Sequence, residues 1–546
     1  MRIRTRAALG LAVTVTAVVA LAACSTGGSS AGSASTSSAS ASGKPVDGGS
    51  LTFAIANDPI SLNPSGTGSG NDTLYVTRQL VDSLLYQDPK TGALKPWLAK
   101  SYTANADATA FTFHLRSDVT FSDGTPLDAD AVKATFDDIV AAGAKSTAIS
   151  SFSGYSGTKV VDSSTVEVDF SKSNAAFPQA TSSVGLGIVS VATTKLPYDS
   201  RATGKGVVGS GPFTLTSYSP NVKTVLAKRK DYAWGPTGAA NTGAAHLSSV
   251  TFQVVPEASV RSGSLESGQL DAIGSVQPTD VDTLKSAGYD LVDRTNPGLA
   301  FGFSFNESRP IVGDEKVREA IAHAIDSKTV RDTSLNSLFP VGTSALASTT
   351  PGYKNEKSHF AFDLAESKKI LDADGWKAGS DGIREKDGQK LSLTVAWITN
   401  FSPNQTTLEL VQQELKKAGI AITLQSSTVP DFIKTLSSGT YDLQFGNSSR
   451  ADGDILRTSF STSATNYSRI DDPTLEALLQ KQQTIANATE RNVVIGQIQD
   501  RLASQYHEIP VHELTTILAT SKDVHGITLG ADSRLEQLTG AWKTGE

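Results

Sequence analysis

The chain has 546 residues, 38% hydrophobic and 19% charged, which supplies a large core and excludes a disordered chain. A formal charge of −7 gives no basic field for nucleic acid. A single cysteine excludes a disulfide framework, a cysteine zinc site and a protein-ligated iron–sulfur cluster.

The N-terminus reads as an export signal. Arg2, Arg4 and Arg6 form a positive start, residues 7–23 carry no charge, and L-A-A-C closes the stretch at 21–24. Small residues ahead of a cleavage point suit a signal peptidase. The L-A-A-C sequence resembles the bacterial lipobox, which implies removal of residues 1–23 and lipidation of Cys24. An ordinary transmembrane anchor is the competing reading, though the stretch is short for a span. Residues 24–45 then make a tether, because the Ser, Thr, Ala and Gly of 25–43 cannot build a core.

From about residue 46 the pattern changes to that of a folded body. A strand is predicted at 51–55, followed by turns at N-D-P (57–59) and N-P (63–64). Apolar spacing at Leu74, Val81, Leu84 and Leu85 predicts a helix over 72–86. Alternation predicts strands at 111–115 and 165–170, with a helix at 128–140 capped by Asp128 between them. A further strand is predicted at 250–255. In the second half, helices are predicted at 314–325, 364–371, 406–418, 432–436 and 492–505. Strands are predicted at 391–398, 420–424, 441–445 and 509–511. Strands alternating with helices indicate α/β units with crossover connections. No internal repeat is evident.

Several phrases, in order, carry a resemblance. They are G-G-S-L-T-F-A-I at 48–55 with S-L-N-P at 61–64, F-T-F-H-L-R at 111–116, F-S-D-G-T-P-L at 121–127, and G-S-G-P-F at 209–213. K-D-Y-A-W at 230–234, L-E-S-G-Q-L-D at 265–271 and V-R-E-A-I-A-H-A-I-D at 317–326 follow. I-L-D-A-D-G-W at 370–376 and L-K-K-A-G-I at 415–420 complete the set. Together they resemble the extracellular solute-binding proteins of ABC transporters, family 5, the oligopeptide, dipeptide and nickel-binding type. The resemblance implies an α/β, two-lobed periplasmic-binding-protein-like fold (type II, cluster C) with an extra inserted subdomain. By that analogy, 46–85, 206–289 and 521–546 form lobe I, 86–205 its inserted subdomain, and 290–520 lobe II. It also implies a non-enzymatic, monomeric receptor without a cofactor. This receptor sits at the outer face of the membrane and delivers a peptide or peptide-like solute to a permease whose ATPase subunits are separate. The same fold would serve a receptor for a metal chelate, metallophore or haem, or a sensor of a signalling peptide.

By the same resemblance, ligand contacts come from both sides of the cleft. One region runs from Asn57 to Pro64. A second is the strand at 299–306, where Phe301, Phe303 and Phe305 share one face and form either a cleft wall or buried core. Trp397 and Asn400 end a strand that should open onto the cleft, with a core role for Trp397 as the alternative. The loop at 447–454 stands where peptide-binding relatives carry W-x-x-D-Y, whose aspartate holds a peptide's ammonium. This chain lacks the Trp and Tyr and sets Ala451 against the aspartate. Asp452 could take the role after a one-residue shift, and Arg450 would suit a carboxylate or phosphate. The two could equally pair with each other on a surface turn.

Enzymatic readings find little support. H-E-I-P-V-H at 507–512 is not a zincin motif, and Pro510 breaks any helix that would align its histidines. From residue 46 on no G-x-S-x-G occurs, the one at 28–32 lying in the tether, and no P-loop lysine occurs. With one methionine and no thiol beyond Cys24, a soft-metal cage is not expected.

Overall fold

The computed structural model describes residues 43–68 and 70–544. Cys24 and the signal and tether expectations for 1–42 lie outside the described residues. Among the described residues, no helix is long and apolar enough to cross a membrane.

Two large sheets organise the body. The first has seven strands, in the order Asp290–Thr295, Thr515–Thr520, Ala272–Ile273, Ser50–Ile55, Ser249–Val254, Lys223–Lys228 and Phe213–Ser219. The second has five, in the order Ala421–Ser427, Ser392–Ile398, Leu443–Ser449, Gly298–Phe305 and Glu508–His512. Each has its own apolar core. Phe53, Leu226 and Phe252 lie in the first; Phe303, Leu408 and Phe445 lie in the second. A third, four-stranded antiparallel sheet is built from Ala99–Ala104, Ala110–Leu115, Thr165–Phe170 and Tyr155–Asp162. Its core closes over Tyr232 and Trp234 from a later segment. Both side chains donate to the buried Asp82 carboxyl, Tyr232 Oη at 3.1 Å and Trp234 Nε1 at 2.9 Å. Gln537 Nε2 joins them at 2.6 Å, so three distant segments are pinned together.

The chain passes between the large sheets at two adjacent places. Asp290–Thr295 lies in the first sheet and Gly298–Phe305 in the second; Glu508–His512 lies in the second and Thr515–Thr520 in the first. Asn296 N donates to Leu514 O at 2.7 Å, tying the two crossings together. The strands at 290–295 and 515–520, expected within the second lobe, therefore pair into the sheet that contains Ser50–Ile55.

Most predicted elements form close to their expected limits. Asp128 caps the Ala129–Ala142 helix by accepting from Ala131 N at 3.1 Å. Gly419 ends Pro403–Ala418 at φ 86°, a left-handed conformation that suits glycine. The helix expected over 72–86 is shorter. It stops at Thr77, and Leu85–Gln87 instead becomes a strand paired with Leu94–Pro96. Leu84 and Leu85 face apolar neighbours of the inserted subdomain, so tertiary packing overrides the helical spacing.

Candidate functional site

One face of the five-stranded sheet carries apolar side chains and the other lines a cavity of about 650 Å³. Register explains the division. Gln444, Ser304 and Glu508 stand opposite one another on three neighbouring strands and form a polar rung. Two residues along, Gly446 faces Gly302, and Gly302 faces Pro510. The polar rung and Gly446 line the cavity. Phe432, Phe460 and Tyr467 supply aromatic wall, Arg450 a cation, and Ser150 a contact from the inserted subdomain.

Phe301, Phe303 and Trp397 occupy the opposite pleat. They are 2%, 0% and 5% exposed and belong to the core of the second sheet. Phe303 and Trp397 both register with Phe445, a core residue, while the next residue, Ile398, lines the cavity. Side chains alternate between faces of a strand, so the Phe stripe takes the core and its interleaved partner Ser304 takes the cavity. Phe301 stacks on Phe401 and Phe445, with centroids 5.8 and 5.5 Å away. Asn400 is exposed beyond the end of its strand. Asn57 is also exposed, and its backbone N and side-chain Nδ2 both donate to Asp72 Oδ2, at 2.9 and 2.8 Å. Neither asparagine lines the cavity.

The 447–454 loop separates its two charged residues. Asp452 is buried and accepts two bonds from Arg491, at 2.8 and 2.6 Å. Burial opposes its charge, but the Arg491 guanidinium more than offsets this and holds the carboxyl below its ordinary range. Gln482 links this pair to a second one: it accepts from Arg491 Nε at 2.8 Å and donates to Asp454 Oδ1 at 2.5 Å. Arg457 meets Asp454 with two bonds of 2.8 Å. Asp452 is thus spent on internal structure and does not pair with Arg450. Arg450 is half-buried at the cavity wall, with Thr458 Oγ1 at 3.4 Å and Asp454 Oδ2 at 3.6 Å. These long contacts leave most of its five donors for other partners.

Glu508 was not singled out by sequence reasoning. It is 4% exposed and accepts a short hydrogen bond from Ser304 Oγ. Burial pushes its carboxyl up to about 8, against a smaller lowering by Ser304. It is therefore mostly an uncharged acid at neutral pH. A usable signal existed: Ser304 interrupts a Phe-rich strand on the alternate pleat. Among the described residues, no group of three or more His, Cys, Asp or Glu could hold a metal ion.

Comparison with known proteins agrees with this architecture. The profile of the bacterial extracellular solute-binding proteins, family 5 (middle), matches residues 93–467. The nickel-binding periplasmic protein of Escherichia coli (strain K12) is 24% identical over 387 residues, covering 68% of this chain and 72% of that protein. A dipeptide-binding protein of Pseudomonas aeruginosa is 22% identical over 517 residues, covering 89% and 93%. The crystal structure of NikA from Brucella suis in complex with Fe(III)-EDTA shares the fold. Its TM-score is 0.79 at 24% identity, over 91% of this chain and 100% of that one. The chain belongs to the bacterial extracellular solute-binding proteins of family 5.

Proposed function

We propose that the chain is the lipid-anchored substrate-binding protein of an ABC importer, and that it captures a short peptide or peptide-like solute in the cavity of the five-stranded sheet. Arg450 is the observation that carries this reading: a half-buried guanidinium with only long internal contacts, at the wall of a cavity of about 650 Å³. That volume lies within the range of small-molecule sites, which runs from roughly 300 to 1,000 Å³. A guanidinium suits a carboxylate, and a peptide ends in one. Gln87 Nε2 donates to Ala451 O at 2.8 Å, and Ala175 N to Gln483 O at 3.0 Å. The first bond runs from the inserted region to the residue next to Arg450 and the second to the turn at 482–484, and they support closure around a bound solute.

Mass spectrometry of small molecules released on denaturing the purified full chain tests the solute class. Short peptides are expected; a single metal chelate would replace this reading with a chelate receptor. Arg450→Ala should weaken binding of the released solute at least tenfold, about 1.4 kcal/mol. Unchanged affinity would remove Arg450 from the site. Cys24→Ser should release the protein from the membrane fraction, and retention of an uncleaved form would overturn the lipid anchor.

A further inference from the structure

Two rungs of the sheet, on either side of the core-facing Phe303–Phe445 rung, give the cavity floor an unusual composition. On the first, Gly302 and Gly446 face each other from neighbouring strands. Gly302 is closed to any side chain, because an added Cβ would lie 2.5 Å from Ile509 O. At Gly446 an added Cβ would meet nothing within 4 Å. The floor there is bare backbone facing open space, which a flat group can lie against. On the second rung stand Gln444, Ser304 and Glu508, a row of hydrogen-bonding groups beside the bare patch.

The walls and the charge state restrict what fits. Phe432, Phe460 and Tyr467 offer ring faces and edges, to which another ring binds by offset or edge contact. Glu508 is buried, its bonded partner is a hydroxyl, and no described ion pair includes it. Its raised carboxyl matches that setting, since an isolated buried carboxylate is costly. The uncharged acid and the Gln444 amide, one on each side of Ser304, each donate and accept, and so complement a neutral group such as a phenol or an indole N–H.

We propose that Gly446 and the Gln444–Ser304–Glu508 rung form a side-group pocket selecting an uncharged aromatic ring with a hydroxyl or N–H on its edge. In this pocket Glu508 and Gln444 determine specificity for the polar edge, and Gly446 determines it for ring size. The pocket rests on the peptide reading above only for the group that carries the ring.

Calorimetry on the full chain with Ala-Tyr, Ala-Phe and Ala-Ala tests it, alongside ligand-observed NMR with p-cresol and toluene. Ala-Tyr should bind at least tenfold tighter than Ala-Ala, with Ala-Phe between them, and p-cresol should outbind toluene. Glu508→Leu should bring Ala-Tyr down to Ala-Phe, and Glu508→Gln should retain most of the preference. Gly446→Leu should fold with an unchanged melting temperature and lose both the Tyr preference and p-cresol. If the dipeptides bind equally, or Gly446→Leu keeps the preference, the pocket is overturned while the peptide reading stands. If p-cresol binds through Gly446 and no dipeptide does, the peptide reading falls and the pocket stands. Binding of neither probe overturns both.

Discussion

The two charged residues of the 447–454 loop have opposite fates, and they should respond oppositely to truncation. Asp452→Ala strands Arg491, which is buried against it, and removing one partner of a buried ion pair costs about 3–5 kcal/mol. A large drop in urea midpoint is the expected outcome. Arg450→Ala should leave the unfolding free energy within about 0.5 kcal/mol of the parent, because its internal contacts are long. A small loss for Asp452→Ala would mean that water reaches Arg491. The sequence made Arg450 and Asp452 equal candidates because both are charged and adjacent in one turn-rich loop. What separates them is a residue 39 positions away, Arg491, which no local pattern connects to the loop.

For individual strands, legibility turned on phase. Alternation located the strands and showed that Phe301, Phe303 and Phe305 share a face, but alternation is symmetric and does not say which face meets the cleft. The helix Pro403–Ala418 settles it, because its Leu408, Val411 and Leu415 share the core with the Phe stripe and leave the other pleat to the cavity. The clearest sign was the composition of that other pleat: glycine and serine in a strand otherwise rich in Phe. The close approach of Gly302 to the neighbouring strand predicts strict intolerance. Gly302→Ala should destabilise by about 1–3 kcal/mol through overpacking against Ile509 O, measured by thermal or urea unfolding. A neutral result would show that the two strands can slide apart.

Across the whole molecule, buried titratable groups near the sheet junction set a pH response. Glu508 is raised to about 8 and Glu513 to about 6, both by burial, so the folded state holds protons that the unfolded chain releases near 4.5. Their contribution to stability is full below about pH 4.5 and is lost as pH rises through the folded values. His512 moves the other way. Burial lowers it to about 3, so its contribution is full above its ordinary 6.5 and is lost as pH falls toward 3. Of the three folded-state values, only that of Glu508 lies above pH 6.5. The parent should lose stability between pH 6.5 and about 8 by up to about 1.4 kcal/mol per pH unit, and Glu508→Gln should flatten the slope. Equal slopes in the two proteins would place the Glu508 carboxyl in the ordinary range. The α/β architecture was readable from the order of helices and strands and from the family phrases. Which sheet each strand joins was not, because 290–295 and 515–520 pair across more than two hundred residues.

That long-range pairing also fixes an order of assembly. Thr515–Thr520 sits inside the seven-stranded sheet, between Asp290–Thr295 and Ala272–Ile273, and is the last of its strands along the chain. A chain emerging N-terminus first can form the antiparallel run from Phe213 to Val254 early, yet it cannot close that sheet until residue 520 is out. The five-stranded sheet must wait as well, because Gly298–Phe305 pairs with Glu508–His512, with Ser304 and Glu508 204 positions apart. Both large sheets therefore close over long loops, which makes their completion slow. The four-stranded sheet, whose strands all lie within 99–170, is the one that can close first. In refolding followed by pulsed hydrogen exchange, amides of Ala110–Leu115 should gain protection before those of Ala272–Ile273.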